Sequence, residues 1–253
     1  MLQDLPVWLA HFRSQAAHPR QVPTTLDDTL SARERRLIAH SIATFQLGEG
    51  SEGARLRDAV RRHCTRPEDQ ALVEIFDLFI AEQQRHARLL GEFMEDHEIP
   101  GRTRALSERL FRFLRRCGGL EARLRTLLTA ELVGIVFYRS LEVVSDCRRL
   151  QILCRTLVAD ELVHVALESQ LLLAMRSRRS ALVRGLLGGL EYAGVTAAAL
   201  LVWLTHRRVL AAAGYGPFLF VRDCRSEYAF YLRWPPTANR GARMTRPLSP
   251  HGS

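Results

Sequence analysis

Residues 153–171 read LCRTLVADELVHVALESQL. Their apolar positions recur every three or four residues, so Leu153, Leu157, Glu161, His164, Glu168 and Leu171 fall on one side of a helix. Glu161-Leu162-Val163-His164 thereby sets a carboxylate and an imidazole one turn apart on the face that should meet the core. A surface helix carries such groups at no cost, but an apolar stripe does not.

Three more segments repeat the pattern. From about Ser31 to Cys64 the stripe is Ile38, Ile42, Phe45, Glu49, Glu52 and Leu56. After Thr65-Arg66-Pro67-Glu68, with threonine as cap and proline in the first turn, a second helix runs to about Glu98. Its stripe is Leu72, Phe76, Phe79, Gln83, His86, Leu90 and Phe93, with Glu82 beside it, and Ile99-Pro100-Gly101 ends it. A third helix, from Gly118-Gly119 to about Ser145, presents Leu124, Leu128, Glu131, Ile135 and Tyr138. The fourth, starting near Asp146 and closing at the arginines of 176–179, is the one first quoted. Short turns join the helices except for the arginine-rich amphipathic segment Thr103 to Cys117, the long crossover that a two-plus-two antiparallel bundle requires. Four helices that each bury a carboxylate at mid-length would lose several kcal/mol apiece, and a pair of divalent metal ions offsets that loss. Carboxylate oxygen and imidazole nitrogen suit iron or manganese, whereas zinc or iron–sulfur sites would ask for close cysteine pairs.

This arrangement resembles the ferritin-like superfamily of carboxylate-bridged di-metal proteins, in which two helices each give a Glu and the other two each give a Glu-x-x-His. The resemblance covers about residues 31–178 and implies an all-α four-helix bundle. It implies that Glu131 is the lone carboxylate of the second half, and Glu161 with His164 its motif. In the first half Glu49 or Glu52 takes the lone position, and Glu82-Gln83-Gln84-Arg85-His86 the motif. There Gln83 stands where the family has glutamate. Glu82 turns in, or Gln83 coordinates through its amide oxygen, or an extra carboxylate such as Glu49 or Glu168 fills the vacancy; the last is favoured, since it keeps the number of ligands. The implied cofactors are two iron ions, or manganese, or one of each. The implied partners are dioxygen and an organic substrate, with the electron donor open. The alternatives are a ferroxidase or iron-handling protein, or a metal-free helical module that binds a membrane or a partner. Tyr138, two turns past Glu131, is a candidate redox or hydrogen-bonding group, although a packed aromatic is the commoner role. Arg85 and Arg139 are candidates to pair with carboxylates that in turn orient the ligands, although a solvated arginine is the commoner role. Gly48, Gly50 and Gly53 each cost roughly 1 kcal/mol inside a helix, which points to a kink or π-bulge beside the metals.

The remaining chain sets the context. With 253 residues, 47% of them hydrophobic, the protein has ample material for a core. All 36 basic residues are arginine and the net charge is +9, which favours anionic partners and disfavours acidic iron-entry paths. No nucleic-acid motif accompanies the arginines, so nucleic acid is not expected. The 5 cysteines form no close pair, and the N-terminus lacks a signal-peptide layout, which suggests the cytoplasm. Residues 1–30 read as a loosely structured lead-in and 234–253 as a disordered tail. Between 179 and 233 lies a helical extension whose residues 185–204 are apolar enough to span a bilayer. Glu191 in their midst argues for a buried fifth helix over insertion. An exposed one would predict membrane contact or a homodimer.

Overall fold

The computed structural model describes residues 4–23, 29–50, 53–104, 118–177 and 179–233. Every regular element among them is helical: α1 (Leu5–Ala17), α2 (Ala32–Glu49), α3 (Ala54–His63), a 3-10 turn (Pro67–Asp69), α4 (Gln70–Asp96), α5 (Leu120–Val143), α6 (Arg148–Arg176), α7 (Ala181–Ala212) and α8 (Pro217–Arg233). The protein is all-α. Most of the expected crossover (residues 105–117), residues 24–28, Glu52 and residues 234–253 lie outside the described residues.

Part of the lead-in, Leu5–Ala17, is helical. Leu5, Trp8 and Phe12 are spaced for one helical face and are buried, Pro6 sits in the first turn where its missing N–H costs nothing, and α1 docks on α4. The expected first long helix is two helices. It stops at Glu49 and restarts at Ala54, with Gly53 at a φ of 154° that side-chain-bearing residues avoid. The glycines thus produce a full break, and Glu49 becomes the last residue of α2.

α2 starts on a reciprocal cap: the Glu34 backbone N–H donates to Ser31 Oγ (3.2 Å), and the Ser31 N–H to Glu34 Oε2 (2.9 Å). The other Glu34 oxygen accepts from Ser145 Oγ (2.8 Å) and the Asp146 N–H (2.9 Å) in the α5–α6 turn. Ser31 foremost among these donors holds the Glu34 carboxyl down at about 2. One carboxylate therefore pins the α5–α6 hairpin to the start of α2.

α2 packs along α4, and α5 along α6; α4 meets α6, and α3 meets α5. α7 lies on α5 and α2, and α8 on α7, α5 and α6, so the extension shares one apolar core with the preceding helices. α7 is only half buried. Val195, Ala199, Val202 and Leu210 face inward, while Leu182, Leu186, Leu190 and Leu204 are exposed, because no described helix covers that side. By length and composition α7 could cross a membrane. Glu191 resolves the tension seen in the sequence: it points inward to Arg125 Nε (3.0 Å), Arg176 and the Tyr228 hydroxyl, which donates at 2.7 Å.

Candidate metal centre

Glu82-Gln83-Gln84-Arg85-His86 on α4 and Asp160-Glu161-Leu162-Val163-His164 on α6 face each other. The 3.6-residue period turns Gln83 with His86, and Glu161 with His164, toward the same interior. Glu161 is the hub. Its Oε1 lies 3.2 Å from His86 Nδ1 and its Oε2 3.3 Å from His164 Nδ1. Glu49, delivered by the end of α2, brings Oε2 within 4.0 Å of His86 Nδ1, and Glu131 from the middle of α5 brings Oε1 within 3.8 Å of His164 Nδ1. Ligand atoms of Glu49, His86 and Glu161 lie within 4.8 Å of one another, and so do those of Glu131, Glu161 and His164. The two groups share Glu161, as two neighbouring metal positions would.

Both histidines are held from behind. Asp160 Oδ2 is 3.0 Å from His86 Nε2, and Glu82 Oε2 is 2.9 Å from His164 Nε2. Each acceptor directly precedes the inward residue of the opposite helix, so the arrangement is reciprocal. A carboxylate on Nε2 favours the tautomer that leaves Nδ1 free to ligate, and fixes the ring. Asp160 is itself secured by Arg85 Nη2 (2.5 Å), by Arg20 and by Gln15 Nε2 (3.3 Å). Burial raises the Asp160 pKa, but the His86 contact and the charges of Arg20 and Arg85 outweigh it and hold the carboxyl below its ordinary value.

Gln83 occupies the centre. Its Nε2 donates to Glu131 Oε1 at 3.0 Å and lies 3.3 Å from Glu161 Oε1 and 3.3 Å from His164 Nδ1. Glu82 does not turn in to replace it; Glu82 faces His164 Nε2 and groups with His86 and Asp160. Glu168, one turn beyond His164, is fully buried beside Glu131. Tyr138 meets the cluster through its hydroxyl, which donates to Glu49 Oε1 at 2.6 Å. Arg139 does not: it pairs with Glu227 of α8 at 2.7 Å. Glu52 is outside the described residues. Phe79 lies over the His164 ring at 4.2 Å, and Phe12 of α1 stacks parallel to it at 6.0 Å, which keeps that side dry.

The electrostatics are those of crowded acids. Burial, then the Glu161 charge, pushes Glu49 up to about 7, and burial with the charges of Glu168 and Glu161 pushes Glu131 well above its ordinary value. Burial would raise Glu161 too, but His164 and His86 outweigh it and bring it down to about 2. Burial lowers the two imidazoles, yet their carboxylate partners raise His86 to about 9 and His164 to about 10. The two raised imidazoles thus balance the charge of Glu161. Glu131 Oε2 is buried without a hydrogen-bond partner, and the oxygen and nitrogen donors suit a hard or borderline divalent ion. The donor set fits a metal ion at either group.

The sequence reading missed Asp160, Arg20, Gln15 and Phe12. Asp160 carried a signal, since an acidic residue precedes the inward Gln83 and the inward Glu161 alike. Compared with protein-family models, with curated proteins and with solved structures, the chain matches none.

Proposed function

We propose that the chain is a ferritin-like four-helix protein. Its first hairpin would be α2–α3 with α4, its second α5 with α6, and the segment between α4 and α5 would be the crossover. It would hold two iron ions, or manganese, or one of each. The observation that carries this reading is the pair of buried histidines whose Nδ1 atoms converge on Glu161 while Asp160 and Glu82 bind their Nε2 atoms. Glu49 and His86 would hold one metal, Glu131 and His164 the other, and Glu161 would lie between them. Glu168 and the amide oxygen of Gln83, brought round by an amide rotation, would complete the set. When bound, such metals supply redox chemistry with dioxygen toward an organic substrate, and the acyl or lipid class suits the apolar and arginine-rich surface.

The chain's own part is positioning and protection. Asp160 and Glu82 hold both imidazoles in the ligating tautomer. Tyr138 holds Glu49 through one oxygen and leaves the other facing His86. Phe12 and Phe79 exclude water from His164. Glu49, held near neutrality, can release or take a proton at its carboxylate oxygen as charge in the site changes.

A metal-free ion-pair core is the second reading. What favours it is the Gln83 amide, which donates into the cluster where a bridging carboxylate would stand. Metal content per chain after anaerobic ferrous loading separates the two. Two equivalents in the intact protein, lost in the Glu161→Ala, His164→Ala double variant, support the metal centre. No bound metal in either overturns it. Oxygen uptake that depends on an organic substrate, against iron oxidation alone, then separates an oxidase from an iron-handling protein.

A further inference from the structure

We infer that the exposed side of α7 is a docking face for an anionic lipid bilayer, on which the helix lies in the plane of the surface. Leu182, Leu186, Leu190, Leu200 and Leu204 mark this side, and Leu186, Leu190 and Leu204 are 62%, 68% and 62% exposed. At 3.6 residues per turn these leucines fall within one sector of about 80°, and the stripe runs for about 33 Å. Ala193 and Ala197, also exposed, lie in the same sector. Along it an open groove of about 800 Å³ is bordered by Leu182, Leu186, Leu190 and small residues between them. An apolar face of this length on a protein surface marks an interaction site.

Charge selects the occupant. The one acidic residue of α7, Glu191, is turned away from this face and neutralised inside by Arg125 and Arg176, so no negative charge interrupts the stripe. Arg207 and Arg208 are exposed and follow its C-terminal end, just past a kink at His206. The whole chain carries a charge of +9. An apolar face edged by arginine is the form that settles into the headgroup boundary of an anionic membrane. A second copy of the chain suits the face less well. One helix-wide stripe about 33 Å long would bury on the order of 700 Å² in total, below the ~1,000 Å² of a stable interface. Two such cationic faces would also repel. A membrane-spanning placement is excluded by the inner face, where Glu191 is bonded to Arg125, Arg176 and Tyr228 and where Val195, Ala199 and Val202 are packed.

This inference is independent of the metal reading. The test is co-sedimentation of the full chain with phosphatidylcholine vesicles, with and without a third of phosphatidylglycerol, alongside Leu186→Glu, Leu190→Glu and Arg207→Gln, Arg208→Gln double variants. All four positions are exposed, so the fold should survive, and an unchanged melting temperature and metal content would confirm that. The intact protein is expected to bind the anionic vesicles at least tenfold more tightly than the neutral ones, and more weakly as salt rises. The leucine variant should lose that binding. The arginine variant should lose about thirtyfold, since each arginine near an anionic surface contributes roughly a fivefold gain. Emission from a Leu190→Trp variant should shift to the blue on anionic vesicles and be quenched by brominated acyl chains. Failure of the intact protein to bind, or binding that the leucine variant retains, overturns the proposal. Self-association that the leucine variant abolishes, in the absence of vesicle binding, overturns it in favour of a second copy.

Discussion

Replacing Gln83 by glutamate tests the centre of the cluster directly. The new oxygen would stand where Nε2 now lies, 3.0 Å from Glu131 Oε1 and 3.3 Å from Glu161 Oε1. The ionised Glu161 repels a charge there by about 5 kcal/mol at an effective dielectric of about 20, and the imidazolium of His164, whose Nδ1 lies 3.3 Å from the same position, attracts it by a similar amount. Burial then decides, as it does for Glu49 and Glu131, and raises the pKa of the new carboxyl. Taking up a proton at pH 7 costs an ordinary glutamic acid about 3.7 kcal/mol, so the metal-free variant loses up to about 4 kcal/mol at pH 7 relative to the intact protein. The folded pKa of the new group is raised, so the penalty is absent below its unfolded pKa of about 4.3 and grows by about 1.4 kcal/mol for each pH unit above it. For a chain of this size that is a fall of roughly 8–16 °C in melting temperature at pH 7.

Thermal unfolding in chelator at pH 5 and pH 7, intact protein against variant, reads this penalty. The same pair after anaerobic loading with ferrous or manganous ion reads its reversal. A second carboxylate between two dications should raise metal retention at least tenfold and restore the melting temperature. A metal-free variant as stable at pH 7 as the intact protein would refute the placement of Gln83 in a buried site beside the ionised Glu161. A penalty that no metal reverses would refute the metal centre and leave the ion-pair core.

Three further outcomes follow from the same geometry. Asp160→Asn removes the charge shared by His86, Arg85 and Arg20, and should lower metal affinity about 10- to 100-fold and stability by about 3–5 kcal/mol, read by metal titration and denaturant unfolding. Tyr138→Phe deletes the donor to Glu49, one of the contacts that lower that carboxyl's pKa. Metal binding, which needs the ionised form, should therefore weaken most near pH 6 and converge with the intact protein above pH 8, while stability falls by about 1 kcal/mol. Because Glu49 rises from 4.5 unfolded to about 7 folded, the metal-free protein should lose about 3 kcal/mol between those pH values. The loaded protein should show no such loss, and a parallel decline in both forms would refute the role of Glu49.

The helices could be read from the sequence because each carries a long apolar stripe with a marked end: Pro67 before α4, Gly118-Gly119 before α5, the arginines after α6. Glu49, His86, Glu131, Glu161 and His164 could be read for the same reason, since periodicity alone assigns them to the inner face. Other features depend on the neighbour. Leu5, Trp8 and Phe12 are too few to announce a helix without α4 to cover them. That α7 is bare on one side among the described residues depends on which helices reach it, and a uniformly apolar stretch gives no sign of which face is covered. Arg20 and Gln15 meet Asp160 across about 140 residues of chain, and no local pattern encodes such a partner.

Gln83 and its neighbour Glu82 show how the two halves depend on each other. Adjacent residues on a helix point about 100° apart, so Glu82 and Gln83 cannot serve the same centre from one backbone. Were Glu82 to swing inward as a substitute ligand, His164 would lose the acceptor at its Nε2, and with it the tautomer that frees Nδ1. Asp160 stands in the same relation to His86. A carboxylate followed by an inward acceptor, twice over, is therefore one device in which each helix aims the histidine of the other. A glutamine at the inward position 83 leaves both histidines aimed, because neither Nε2 acceptor depends on it.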